Sequence, residues 1–157
     1  MSRVRAVALR YRAGELAAGE LPMAAAELVA DGYESPALYD LAGRGRREAA
    51  SELEPLLREA LDELGVPLPS CADGERWRLR ELAGRVGEGS LAPGEFAEAV
   101  MYRESFGASQ EDEEALLGLL SDYCSCCVGH WPPEVFVAWE AEVRVAAAAM
   151  AARTPLP

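Results

Sequence analysis

The sequence predicts an all-α protein, a compact bundle of seven or eight helices whose two helical halves echo each other. Three observations predict it. Apolar residues recur at i, i+3, i+4 and i+7 along nearly the whole chain. No run alternates apolar and polar residues with a strand's period of two, and β-branched residues are sparse. Gly and Pro fall between the periodic stretches, where helices stop and start.

Val4, Val7, Ala8 and Tyr11 share one face of a first helix, weakened at Gly14 and turned at Gly19. Leu21, Ala24, Ala25 and Leu28 form the second, which should stop near Asp31 and Gly32. In "ESPALYDLAG", Ser35 is an N-cap and Pro36 suits the first helical position, where its missing N–H is not needed. Leu38 and Leu41 face inward, and Gly43 ends this short helix. Leu53, Leu57, Ala60, Leu61 and Leu64 make the next stripe, closed by Gly65, with Pro55 inside it. That helix either starts near Ser51, where "SELE" reads as a capping box, or runs from about Arg46 with a kink. The kinked helix is preferred.

"GVPLPSCADGE" reads as a linker over 66–75, between halves of about 1–66 and 75–152 in one domain. Beyond it, Leu79, Leu82, Ala83 and Val86 share a face. Pro93 starts a helix carrying Phe96, Ala99 and Val100 to about Phe106. Ser109 and Asp112 cap another, whose Glu111, Asp112, Glu113 and Glu114 complement the positive end of its dipole. Phe136, Trp139, Val143, Ala146, Ala147 and Met150 line the last helix, and 153–157 form a frayed tail. "GELAAGELPMAAAELV" and "GEGSLAPGEFAEAV" both place Gly-Glu, a short turn and a helix, the echo between the halves.

The 157 residues carry a formal charge of −12, and every basic residue is Arg. A duplex binder needs cations to displace counterions from phosphate, so the charge argues against nucleic acid and equally against anionic membranes. It suits a basic protein partner, or simply solubility. No stretch is apolar for long enough to span a membrane, and "MSRVRAVALRYRAGE" is no signal peptide. Four cysteines, three of them crowded together, do not suggest a secreted disulfide framework, so the expected location is the cytoplasm.

"CSCCVGH" holds three of the four cysteines and the one histidine. If the preceding helix continues, Leu116, Leu120, Tyr123 and Cys127 fall on one stripe and Cys124 beside them. Cys124 and Cys127 are then buried small hydrophobes, the preferred expectation. The sharper alternative is zinc held by Cys124, Cys127 and His130, one turn apart, with Cys71 or Cys126 as fourth ligand. A redox pair among the same thiols is the third. Trp131 should act as a staple over the start of the last helix. "RGRRE", Arg44 to Glu48, is the one basic knot and reads as a solvated helix start, with a small anion or an acidic partner as its alternative.

No phosphate loop, nucleophile elbow, zinc-protease helix or EF-hand loop is present, and nothing marks an enzyme. The expected function is a non-catalytic interaction module that binds a basic partner, in the manner of an immunity protein or antitoxin. Its acidic face would comprise Glu95, Glu98, Glu104, Glu111, Asp112, Glu113 and Glu114. The alternative is a metal- or redox-responsive regulator using Cys124 to His130.

"LPMAAAELVADGYESPALYDLAG", with "LRELAGRVGEGSLAPGEFAEAV", resembles small acidic all-helical proteins of actinobacteria. The shared positions are helix caps and core sites. The resemblance therefore implies architecture and carries no activity, cofactor or site residue.

Overall fold

The computed structural model describes residues 1–101 and 111–152, apart from the side chains of 111 and 112. These residues form eight α-helices and no strand, the all-α class expected. No helix among them is long and apolar enough to cross a membrane. The chain divides into two compact units, Met1–Gly74 and Glu75–Pro157.

The first unit contains α1 (Arg3–Arg12), a 3-10 turn (Ala18–Glu20), α2 (Leu21–Ala30), α3 (Pro36–Ala42) and α4 (Ala50–Glu63). Val4 and Ala8 of α1, Leu21 and Leu28 of α2, Leu38 and Leu41 of α3, and Leu53, Leu57 and Leu61 of α4 are buried in one core. Each buried Leu contributes roughly 2–3 kcal/mol by leaving water. Ser35 caps α3, its Oγ accepting the Leu38 N–H at 3.0 Å. Glu63, in the last turn of α4, completes that cap by accepting from Ser35 Oγ at 2.5 Å and from the Ala37 N–H at 3.2 Å.

Two boundaries differ from the expectation. Helix α4 starts at Ala50 and not at Arg46. Glu52 reaches back to accept the Ala49 N–H at 3.3 Å, so the cap sits two residues before Ser51. Pro55 lies inside the helix, where its missing N–H leaves the Ser51 carbonyl without its i+4 donor. The basic knot lies before this helix, with Arg44 paired to Glu48 at 3.4 Å. Helix α5 (Cys71–Gly87) opens inside the stretch expected to be linker. The cause is a reciprocal cap: Ser70 Oγ accepts the Asp73 N–H at 3.1 Å, and Asp73 accepts the Ser70 N–H at 2.9 Å.

The second unit is built from α5, α6 (Pro93–Met101), α7 (Glu111–Ser121) and α8 (Pro133–Ala151). Leu79, Phe96, Leu116, Leu120, Val143 and Met150 are buried together in its core. Glu104, Phe106 and Ser109 lie outside the described residues.

The echo between the halves extends to hydrogen bonding. After α1, Gly14 adopts φ +68°, and the N–H groups of Glu15 and Leu16 both donate to the Arg10 carbonyl. After α5, Gly89 adopts φ +75°, and those of Ser90 and Leu91 both donate to the Arg85 carbonyl. Glu20 then accepts the Ala17 N–H at 2.8 Å, and Glu95 accepts the Ala92 N–H at 3.1 Å. The two junctions are the same device, with glycine supplying the left-handed residue that ends the first helix.

Candidate thiol site

Helix α7 ends at Ser121, so it does not carry Cys124 and Cys127 into the core. The chain turns instead. The Cys124 carbonyl accepts the N–H groups of Cys127 at 2.9 Å and Val128 at 2.8 Å, and a 3-10 turn follows over Val128–His130. Cys126 and Cys127 are exposed and Cys124 is half-buried. The expectation of core cysteines is thereby corrected: the turn lifts the thiols off the stripe that Leu116 and Leu120 bury.

The turn gathers what the helix would have spread. The Sγ atoms of Cys124, Cys126 and Cys127 all lie within 4.8 Å of one another. Cys124 and Cys126 approach to 2.8 Å, Cys126 and Cys127 to 3.5 Å. Hydrogen bonds from Cys126 and then Cys127 stabilise the Cys124 thiolate and lower its pKa to about 7. The same sharing works against Cys127. Its hydrogen bond to Cys124, then that to Cys126, and the negative charge beside it raise its pKa to about 11. With Cys124 partly ionised at neutral pH, the cluster offers a nucleophile and a soft-metal ligand.

Of the expected ligands, Cys124 and Cys127 belong to this cluster and Cys126 joins them. His130 is exposed on the 3-10 turn and lies outside the group of sulfurs. Cys71 is exposed at the first position of α5. The misjudged signal was in the sequence: Ser121, Asp122 and Ser125 favour ending a helix, and the spacing C-S-C-C suits a turn whose first residue faces its third and fourth.

The expected acidic face fares unevenly. Glu95 and Glu98 are exposed on α6, although Glu95 also caps its helix. Glu114 is exposed on α7, while the side chains of Glu111 and Asp112, and all of Glu104, lie outside the described residues. Glu113 is only 1% exposed and is no partner contact. It binds Arg76, Nε to Oε2 at 3.1 Å and Nη2 to Oε2 at 3.2 Å, with Arg80 3.8 Å from its other oxygen.

Trp131 meets Phe136 edge-on with ring centres 6.5 Å apart, the staple expected at the start of α8. Trp139, behind it, stacks on Tyr123 at 5.1 Å and donates its indole N–H to the Leu119 carbonyl at 2.8 Å. The cysteine turn thus joins two aromatic anchors, Tyr123 before it and Trp131 after it. Comparison with protein-family models, curated proteins and solved structures yields no match, so the assignment of this site rests on its own geometry.

Proposed function

We propose that this chain is a regulatory protein that responds to a soft metal ion, zinc in the first instance, through Cys124, Cys126 and Cys127. One observation carries the reading: three thiols of a single exposed turn have their sulfur atoms mutually within 4.8 Å. A zinc–sulfur bond of about 2.3 Å sets neighbouring sulfurs of one tetrahedral ion about 3.8 Å apart. The sulfurs at 2.8 and 3.5 Å reach that spacing by opening about 1 Å and about 0.3 Å, within the reach of side-chain rotation. The fourth position falls to water or to His130 swinging in from the next turn. In a reducing cytoplasm the thiols stay available for the ion, which displaces their protons. Because the turn ends at Trp131, respacing its sulfurs around the ion acts on the aromatic staple of α8.

Native mass spectrometry of protein purified without chelator, paired with thiol titration, tests this. One zinc per chain with three protected thiols is the expected result. A metal-free mass that takes up no added zinc, with all thiols reactive, overturns it. Loss of two hydrogens on mild peroxide treatment of that metal-free protein would assign the cluster to redox response instead.

A second reading, a non-catalytic module for a basic partner, is favoured by the net charge of −12.

A further inference from the structure

The start of α8 carries a groove of about 470 Å³, lined by Asp122, Trp131, Glu134, Val135, Ala138, Trp139 and Glu142. Its chemistry is specific. Glu134, Ala138 and Glu142 follow one another at i, i+4 and i+8, so they form a single row along the helix. Val135 and Trp139 form the neighbouring row. Trp131 closes one side, edge-on to Trp139 with ring centres 5.9 Å apart. Asp122 enters from the end of α7. All three carboxylates are exposed, and none has a cationic partner among the described residues. Val135 is 48% exposed and offers an apolar step beside them.

We propose that this groove receives an arginine-bearing segment of a partner protein. Trp139 is buried, so the half-buried Trp131 is the indole the groove offers, and beside carboxylates it attracts a guanidinium twice, by charge and by stacking of a weakly hydrated planar cation. Glu134 and Glu142 lie eight residues apart, about 12 Å along the axis at about 1.5 Å per residue. One small cation does not reach both, whereas two arginines four residues apart in an extended chain, about 13 Å at about 3.3 Å per residue, do, and Val135 and Ala138 receive the apolar residues between them. A phosphate backbone is repelled by all three carboxylates. The inference rests on the basic-partner reading and is independent of the thiol reading. It moves the contact surface from the face of α6 and α7 to the start of α8.

The test uses the full chain and a synthetic peptide alternating arginine and leucine, titrated by tryptophan fluorescence and mapped by backbone NMR shifts. Two charge-matched double variants are compared: Glu134→Gln with Glu142→Gln, and Glu98→Gln with Glu114→Gln. Both remove two exposed carboxylates, so circular dichroism should show both folded. The expected result is saturable binding with shifts centred on 122–142. It weakens about tenfold or more in the groove variant, less than about twofold in the other, and falls with added salt. Equal weakening in both variants overturns the groove while leaving a diffuse basic-partner interaction. No binding to wild-type protein overturns both. Free arginine binding as tightly as the peptide would make the site a small-molecule one and overturn the protein segment as its occupant.

Discussion

Cys124 and Cys126 hold their sulfur atoms 2.8 Å apart across a single intervening serine, and this closeness divides the labour among three chemically identical side chains. The Cys124 proton is lost first because Cys126 and Cys127 both donate to the resulting thiolate. Alkylation mapped by mass spectrometry should therefore find Cys124 half-reactive at about pH 7, with Cys127 silent until about pH 11. The sign follows from the cause. Cys126→Ala removes the largest lowering contribution, so the Cys124 midpoint should climb toward the ordinary thiol value of about 8.5. Cys124 and Cys127 titrating together near that value in the wild-type protein would refute the shared hydrogen bonds.

Glu113 joins two arginines in a protected place, and its value is read from its removal. The side chains of Arg76 and Arg80 are 18% and 14% exposed, so both remain largely shielded when the carboxylate goes. Glu113→Ala should cost about 3 kcal/mol, since breaking a buried pair takes from the shielded Arg76 the carboxylate that accepts its two hydrogen bonds. Glu114→Ala, one residue on and exposed, should stay within about 0.5 kcal/mol. Urea unfolding of the two variants checks the contrast. Similar midpoints would mean that Glu113 is solvated and available to a partner after all.

Ser35 and Glu63 give a second contrast. The last turn of a helix disfavours a carboxylate, yet Glu63 occupies that place in α4 because it serves the N-terminal end of α3. Ser35→Ala deletes the bond to Glu63 together with the cap on Leu38, and should cost about 1–2 kcal/mol. Glu63→Gln keeps an acceptor and should cost less than Glu63→Ala. Thermal unfolding of the three variants gives the order, and a neutral Ser35→Ala would remove the shared cap from the account.

The sequence carried the parts of this fold that are written locally. Ser35 with Pro36, the Leu53 to Leu61 stripe and the Trp131 staple are all fixed by neighbours within one or two helical turns. Glu63 as the second half of the Ser35 cap was not legible, because the partners are 28 residues apart. Glu113 was misread for the same reason. An acidic run at a helix start is ordinarily solvated, and only packing against α5 turns one of its members inward. The cysteines failed differently. Their spacing fits a continuing helix as well as a turn, and the choice lies in Ser121, Asp122 and Ser125, whose side chains compete for backbone hydrogen bonds.

Gly74 and Gly84, two glycines of α5, should respond with opposite sign to the same change. Either one mutated to alanine gains up to about 1 kcal/mol of helix propensity. At Gly84 the added methyl meets nothing within 4 Å, so Gly84→Ala should stabilise the protein by about 0.5–1 kcal/mol. At Gly74 it would stand 2.6 Å from the Ala13 nitrogen and 2.6 Å from the Arg12 carbonyl carbon. Those are backbone atoms at the end of α1, and they do not swing aside as a flexible side chain does. Gly74→Ala should therefore push residue 74 off the Arg12–Ala13 backbone and cost about 1–3 kcal/mol despite the propensity gain. The displacement should also lengthen the Arg12 to Pro69 hydrogen bond, now 3.0 Å, exposing residues near 12 and 69 to faster amide exchange. Paired melting curves with hydrogen exchange decide the matter. If both variants were stabilised to the same degree, the close approach of Gly74 to the Arg12–Ala13 backbone would be disproved.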